Sequence, residues 1–158
     1  MNPLNNKRGS SYFQPVVVIL ILAMILSVVL FYATTKSTIE TTRDNTKRVL
    51  DSYVMKNSIE IYNSIKQGND FTEAIENSFY IYSVSEELSL DYGAGYLYTV
   101  DANGDIVYRM TNPDVTYKVD NTLQLKASYD LQMPVWFAGQ IIYWFTVPVT
   151  VSSSLTLK

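Results

Sequence analysis

The side chains in this chain that are best suited to chemistry are three polar residues that alternate along a short segment, Asp101, Asn103 and Asp105. Carboxylate and amide oxygens at this spacing match the first ligands of an EF-hand calcium loop. The later positions do not fit, because Ile106 stands where that loop needs glycine and Asn112 where it needs a bidentate glutamate. The alternative is a turn in which the Asx side chains bond nearby backbone groups. The pattern favours the turn, so we expect no metal, with these three residues as the candidates if one binds.

Composition argues against most other site chemistry. The chain has no histidine and no cysteine, so it lacks the commonest general base, the commonest zinc ligand and any means of forming a disulfide. Glu86 and Glu87 are adjacent, and adjacent residues on a helix point away from each other. A net charge of −3 gives no electrostatic support for a nucleic-acid partner. We therefore expect neither an enzyme nor a cofactor.

The element that organises the chain is an apolar run, PVVVILILAMILSVVLFYA, from Pro15 to Ala33. About 19 residues at roughly 1.5 Å each cover the hydrocarbon core of a bilayer, which is about 30 Å thick. A cleaved signal peptide would have a shorter apolar region followed by an A-x-A-like site, and the core helix of a soluble protein rarely needs so long an uncharged run. The sequence therefore favours a retained transmembrane helix over residues 15–33.

The charges around this run predict its orientation. Lys7 and Arg8 precede it without an offsetting acid, and basic residues stay on the cytoplasmic side. We expect a single-pass protein with a cytoplasmic N-terminus and an extracytoplasmic C-terminal part.

The predicted helix continues beyond the membrane. Residues 34–66 contain neither proline nor glycine. Apolar residues recur there at helical spacing, at Ile39, Leu50, Val54, Ile61 and Ile65. Gly68 supplies a stop. The pattern predicts one helix from about Pro15 to Gln67, amphipathic over residues 34–67. Such a helix is either an anchor with a stalk or the spine of a filament subunit.

The N-terminal junction, Lys7-Arg8-Gly9 followed by SSYFQPVVVILIL, resembles the TadE-like pseudopilins of Tad (Flp) type IV pili, in their Gram-positive variant. The resemblance implies a bacterial cell membrane, cleavage by a prepilin peptidase between Gly9 and Ser10, and assembly on a platform protein into an extracellular filament. It also implies self-association with other pilin-like subunits through the apolar helix. The candidate assembly residues are Gln14, Pro15, Val18, Leu22 and Leu26.

Gln14 departs from the family pattern, because the fifth residue after the cleavage site is usually acidic. A neutral amide can hydrogen-bond a neighbouring subunit's amino group but cannot neutralise it, and a buried unpaired charge is costly. The departure favours a minor subunit or a pseudopilin over a major pilin.

Residues 70–158 predict a small α+β domain with one helix and an antiparallel sheet of about four strands. Asp70 and Glu73 have the form of a helix cap. The helix is predicted from Phe71 to about Leu88. Its predicted apolar face comprises Phe71, Ala74, Ile75, Phe79 and Tyr82.

Two alternating runs around Ala102-Asn103-Gly104 predict a β-hairpin. A two-residue turn would pair Val100 with Val107 and Tyr98 with Arg109. A three-residue loop with a bulge would instead pair Val100 with Ile106, Tyr98 with Tyr108 and Tyr96 with Met110. The second register collects the apolar side chains on one face, so we expect it.

Strict alternation predicts two long strands, over residues 123–133 and 147–157. The connecting residues 134–146, PVWFAGQIIYWFT, are the most aromatic part of the chain. They could be a second membrane span, an apolar loop folded back on the core, or an exposed docking patch. In the last case the patch residues are Trp136, Phe137, Trp144 and Phe145.

The chain thus divides into a basic leader (1–9), a long helix (10–67) and an extracytoplasmic α+β domain (70–158). We expect a pilin-like structural subunit of an envelope filament or a related secretion or conjugation apparatus. The alternative is a single-span sensor or accessory binding module, because the hairpin VDANGDIVYRM resembles the central hairpin of small PAS-like extracellular sensors.

Overall fold

The computed structural model describes residues 10–68, 77–119, 122–137 and 139–156. It contains a helix α1 and a shorter helix α2, followed by strands β1 to β6 of one antiparallel sheet. The bounds are α1 Ser10–Gln67, α2 Asn77–Glu87, β1 Asp91–Gly93, β2 Tyr96–Val100, β3 Ile106–Thr111, β4 Asp114–Val119, β5 Thr122–Phe137 and β6 Gln140–Thr156. The α+β class with a long N-terminal apolar helix is confirmed. Contacts divide the chain into two compact units, with the boundary between Thr38 and Ile39.

Helix α1 has the bounds predicted for the long helix, residues 10–67, and begins before the apolar run. It starts at Ser10, so Pro15 lies inside it, although proline cannot donate the backbone hydrogen bond of that position. The last helical residue is Gln67. Gly68 then adopts a φ of 70°, and its amide donates to the carbonyl of Ile65 at 3.2 Å. Glycine is favoured at this left-handed position because it has no Cβ to clash.

The sheet has six strands rather than about four, because two short strands that were not predicted, β1 and β4, are added. Strand β6 pairs with β5 along its whole length, so β3 and β4 share the opposite edge of β5 one after the other. Pro113 lies between them and has no amide to donate to a ladder. The three-residue strand β1 extends the sheet beyond β2.

The core of the Ile39–Lys158 unit lies between one face of the sheet and the two helices. The second part of α1 contributes the buried side chains Val49, Leu50, Tyr53, Val54 and Ile61, at helical spacing. Strand β5 contributes every second residue, Leu123, Leu125, Ala127, Tyr129, Leu131 and Met133. The predicted alternation of residues 123–133 is therefore confirmed, and so is the apolar stripe of residues 34–67.

Helix α2 presents a different face to the core from the one predicted. Tyr80 and Val84 are buried, whereas Tyr82 is exposed. Of the other predicted face residues, Phe71, Ala74 and Ile75 lie outside the described residues, as does the predicted cap, and the side chain of Phe79 is not described. The helix ends at Glu87, one residue before its predicted end. Ile81 and Leu88 pack against the core from positions that flank Tyr80 and Val84.

The β2–β3 register combines features of both predicted alternatives. Val100 pairs with Ile106, as expected for the three-residue loop. A register shift between Thr99 and Val100 then pairs Tyr98 with Arg109, so the expected pairing of Tyr98 with Tyr108 is wrong. The shift sets Leu97 against Met110, both fully buried, and turns Tyr98 and Arg109 together to the opposite face.

The aromatic connection of residues 134–146 is neither a loop nor a helix. Strands β5 and β6 continue through it and meet at a hairpin turn, with Gly139 at a φ of 78°. The predicted strand ends were therefore wrong on this side. The described residues of the connection form paired β-structure, so the prediction of an apolar loop is also wrong.

Candidate interaction surfaces

The apolar segment of α1, residues 13–33, is the largest unburied apolar surface of the described chain. An 18-residue window within it has a mean hydropathy of 3.1 and no buried residue. The helix is long and apolar enough to cross a membrane. The candidate assembly residues Gln14, Pro15, Val18, Leu22 and Leu26 are all exposed. Gly9 lies outside the described residues, and Ser10 is described only as the first residue of α1.

The second surface is the hairpin tip, defined as residues 136–137 and 139–145. Its exposed apolar side chains are Trp136, Phe137, Ile142, Tyr143 and Phe145. Val135 pairs with Tyr143 and Trp136 with Ile141, so Ile142 is the extra residue of a bulge. Bulges twist a strand and redirect its side chains. Three of the four predicted patch residues are thus exposed here.

Trp144, the fourth predicted patch residue, belongs to a cluster around Arg109 instead. The Arg109 guanidinium lies 3.7 Å from the centre of the Trp144 ring and 4.2 Å from that of the Tyr96 ring. Its Nε donates to Oε1 of Gln132 at 2.7 Å. We call these four residues the Arg109 clamp. Because they belong to β2, β3, β5 and β6, the clamp spans four strands.

The clamp lies on the sheet face away from the helices, since its neighbour Met110 points into the core. Planar guanidinium groups stack well on aromatic rings. The clamp was not predicted from the sequence, because it depends on a β2–β3 register that was not expected. The alternative hairpin with a two-residue turn had placed Tyr98 opposite Arg109. It could therefore have indicated that Arg109 shares a sheet face with tyrosines of β2.

A second group missed by the sequence analysis is a set of hydroxyls inside the core. The Oγ1 of Thr46 donates to the carbonyl of Thr42 at 2.7 Å and accepts from the Tyr129 hydroxyl at 3.1 Å. The Tyr80 hydroxyl donates to the carbonyl of Thr46 at 3.3 Å. The side chain of Tyr108 lies close to that of Thr42. The signal for this group was a pair of threonines four residues apart within an apolar stripe.

Burial changes the acidity of these tyrosines. Removal from water disfavours the charged phenolate, and this raises the pKa of Tyr129 to about 12. The same cause raises the pKa of Tyr80 and of Tyr108. The Tyr129 hydroxyl thus joins the sheet to α1, and the Tyr80 hydroxyl joins α2 to α1.

The loop with Asp101, Asn103 and Asp105 forms local hydrogen bonds. The Oδ1 of Asp101 accepts the amide N–H of Asn103 at 2.8 Å and that of Asp105 at 3.0 Å. These backbone bonds lower the pKa of the Asp101 carboxyl. Gly104 provides the left-handed residue of the turn, with a φ of 88°. Over the described ranges, no three His, Cys, Asp or Glu side chains are grouped to hold a metal ion.

The geometry therefore supplies two surfaces suited to contact with other molecules, the apolar segment and the hairpin tip. The Arg109 clamp and the core hydroxyls act within the Ile39–Lys158 unit. No protein-family model, curated protein or solved structure matches this chain.

Proposed function

We propose that this chain is a pilin-like structural subunit, a minor pilin or pseudopilin, of an envelope filament or a related secretion or conjugation apparatus. It is held in the bacterial cell membrane with its N-terminus in the cytoplasm and its α+β domain outside. The observation that carries the proposal is that one helix, α1, provides both an unburied apolar segment and the central helix of a folded domain.

An unburied apolar segment needs a partner. Leaving it in water costs about 25 cal/mol for each Å² of apolar surface, so either lipid or other apolar helices must cover it. Its apolar side chains are exposed all round the helix. Lipid tails and neighbouring helices are similarly apolar partners for such a surface. Subunits could therefore leave the bilayer by exchanging lipid contacts for contacts with one another.

Gln14 supports a minor role. It is exposed near the start of α1, where its amide oxygen can accept a hydrogen bond from the amino group of a neighbouring subunit. It carries no charge to balance that amino group. A subunit that occurs rarely, or at one end of a filament, has few such contacts to stabilise.

The first test is the mass of the mature protein. Intact mass and N-terminal sequencing of membrane-derived protein should show loss of Met1 to Gly9, leaving Ser10 first. A Gly9→Leu variant should retain the leader, and the matched Ser10→Ala variant should still lose it. An intact N-terminus in a host with an active prepilin peptidase contradicts the processed subunit and favours the anchored sensor or accessory module.

Assembly is tested separately by cross-linking. The chain has no cysteine, so a single introduced cysteine reports on one position. A Leu22→Cys variant should form cross-linked dimers in assembled material, whereas Met55→Cys, at an exposed position of the domain's helix, serves as the control. Cross-linking only at the control position, or at neither, counts against assembly through the apolar segment.

A further inference from the structure

The hairpin tip exposes an uncharged aromatic surface. Its exposed side chains are Trp136, Phe137, Ile142, Tyr143 and Phe145. No charged residue occurs between Asp130 and Lys158. Contiguous apolar patches on a protein surface mark contacts with other molecules. Tryptophan and tyrosine are the residues that collect at the membrane–water interface, because their rings are apolar and their polar groups stay wet.

Side-chain contacts within the Ile39–Lys158 unit show the direction in which the hairpin extends. The Tyr129 hydroxyl of β5 donates to Thr46. Tyr108 lies nearer the tip, since its neighbour Arg109 pairs with Gln132, and its side chain lies close to Thr42, one helical turn earlier in α1. Moving toward the tip along the sheet therefore means moving toward Ile39 along α1. The tip extends toward the end of this unit at which the chain enters it from the apolar segment.

From this geometry we propose that the hairpin tip contacts lipid, with Trp136 and Phe137 in the interfacial region of the bilayer that holds the apolar segment. The proposal rests on the membrane anchoring in the proposed function and not on filament assembly. Anchoring keeps the domain at the bilayer surface, so the effective lipid concentration is high and a small apolar surface suffices. The interfacial region contains water, which can hydrate the edge of β6 that faces away from β5.

A second copy of the chain is the other candidate to cover the tip. Aromatic residues are enriched in protein interfaces as well as at the membrane–water interface, so composition does not choose between the two. The direction of the hairpin favours lipid, because the chain enters this unit from the apolar segment at the end toward which the tip extends.

The two tryptophans of the chain, Trp136 and Trp144, both lie in this hairpin, so selectively excited tryptophan fluorescence reports on it alone. The test variant, Trp144→Phe, leaves Trp136 as the reporter. The control combines Tyr117→Trp with Trp136→Phe and Trp144→Phe. Tyr117 is 44% exposed and Trp136 43%, so the two reporter positions are matched in exposure. Tyr117 pairs with Leu125, about 40 Å along β5 from Phe137 at roughly 3.3 Å per residue.

Each full-length protein is reconstituted in phosphatidylcholine–phosphatidylglycerol vesicles in which some lipids carry a spin label just below the headgroup. The test variant should be quenched at least about twofold more than the control. Dissolved acrylamide should instead quench the control variant more than the test variant. The unsubstituted chain should also be quenched more than the control, and this comparison needs no substitution of the hairpin.

Equal lipid quenching of the test and control variants overturns the proposal. It is also overturned if lipid quenching is absent and protection of Trp136 from acrylamide is lost on dilution into more lipid, because the tip then contacts a second copy. A chain that fails to sediment with vesicles overturns the anchoring and this inference together. An uncleaved N-terminus refutes only the processed pilin, because the quenching ratio does not depend on residues 1–9.

Discussion

The two parts of α1 share one backbone geometry and differ in what covers them. In the first part, residues 13–33, no side chain is buried, and all but that of Val17 are exposed. In the second part, residues 34–67, Val49, Leu50 and Ile61 are buried against the sheet, while Met55 and Ile59 remain exposed. The second part therefore gets its partner from the same chain, and the first part must get one from its surroundings.

This difference explains why a single helix can serve two purposes. The stripe of the second part is narrow, because only one face meets the sheet and α2. The first part has no stripe, and a helix that is apolar all round is suited to lipid or to several neighbouring helices. Substitutions in one part should therefore leave the role of the other part unchanged.

The largest effect is expected from charges placed in the first part. Leu22→Arg with Leu26→Arg puts two charges near the middle of the apolar segment and should cost about 6 kcal/mol of membrane insertion, at about 3 kcal/mol each. The protein should move from the membrane pellet to the soluble or aggregated fraction after carbonate extraction. The matched control is Met55→Arg with Ile59→Arg, which has the same spacing at two positions that are each 75% exposed. If the control variant leaves the membrane pellet to the same extent, the two parts are not independent.

A smaller effect is expected from a cavity made in the core, where the second part of α1 packs. Leu50 is fully buried, and Leu50→Ala should lower the free energy of unfolding of the domain by about 3 to 4 kcal/mol. Met55→Ala should change it by less than about 0.5 kcal/mol. Denaturation in detergent, followed by tryptophan fluorescence, measures both. Membrane association should be unaffected, and a variant that left the membrane would contradict the separation of roles.

The core hydroxyls predict a loss of stability at alkaline pH. The pKa of Tyr129 is raised from its ordinary value of 10 to about 12 by burial. Between pH 10 and 12 the unfolded chain has lost a proton that the folded chain still holds, so stability is present below pH 10 and falls as the pH rises. This tyrosine alone should contribute a loss of about 2 to 3 kcal/mol across that window.

Tyr129→Phe tests this directly. At neutral pH it should cost about 1 kcal/mol, because the hydrogen bond to Thr46 is lost. Above pH 10 its free energy of unfolding should fall less steeply with rising pH than that of the unsubstituted chain. Tyr82→Phe, at an exposed position of α2, should leave both the neutral stability and the alkaline slope unchanged. If the free energy of unfolding fell equally steeply with pH in all three proteins, deprotonation of Tyr129 would not be a cause of the alkaline loss of stability.

The elements that could be predicted are those set by local patterns. The apolar run and the stripe that follows it predict α1 to its last residue, Gln67. Alternation predicts the buried positions of β5, because neighbouring residues of a strand point to opposite faces. The leader cleavage, the orientation and the assembly residues stay predictions.

The features that could not be predicted depend on contacts between distant residues. The hydroxyl of Tyr129 meets Thr46 across 83 positions of sequence. Nothing near either residue indicates the other. The β2–β3 register turned on a single bulge between Thr99 and Val100. At residues 134–146 the alternation of strands was obscured, because apolar side chains at the hairpin tip occur on both faces.

The smallest effect is expected on the sheet face that no helix covers. Arg109→Lys removes the bond from Nε to Gln132 and the planar stacking on Tyr96 and Trp144. It should cost about 1 kcal/mol of domain stability. Arg48→Lys, at an exposed position of α1, is the matched control and should have almost no effect. If Arg109→Lys destabilised the domain as much as Leu50→Ala, the clamp would matter as much as the helix-covered core. The second part of α1 would then no longer be the main partner of the sheet, and the contrast between the two parts of the helix would be weaker.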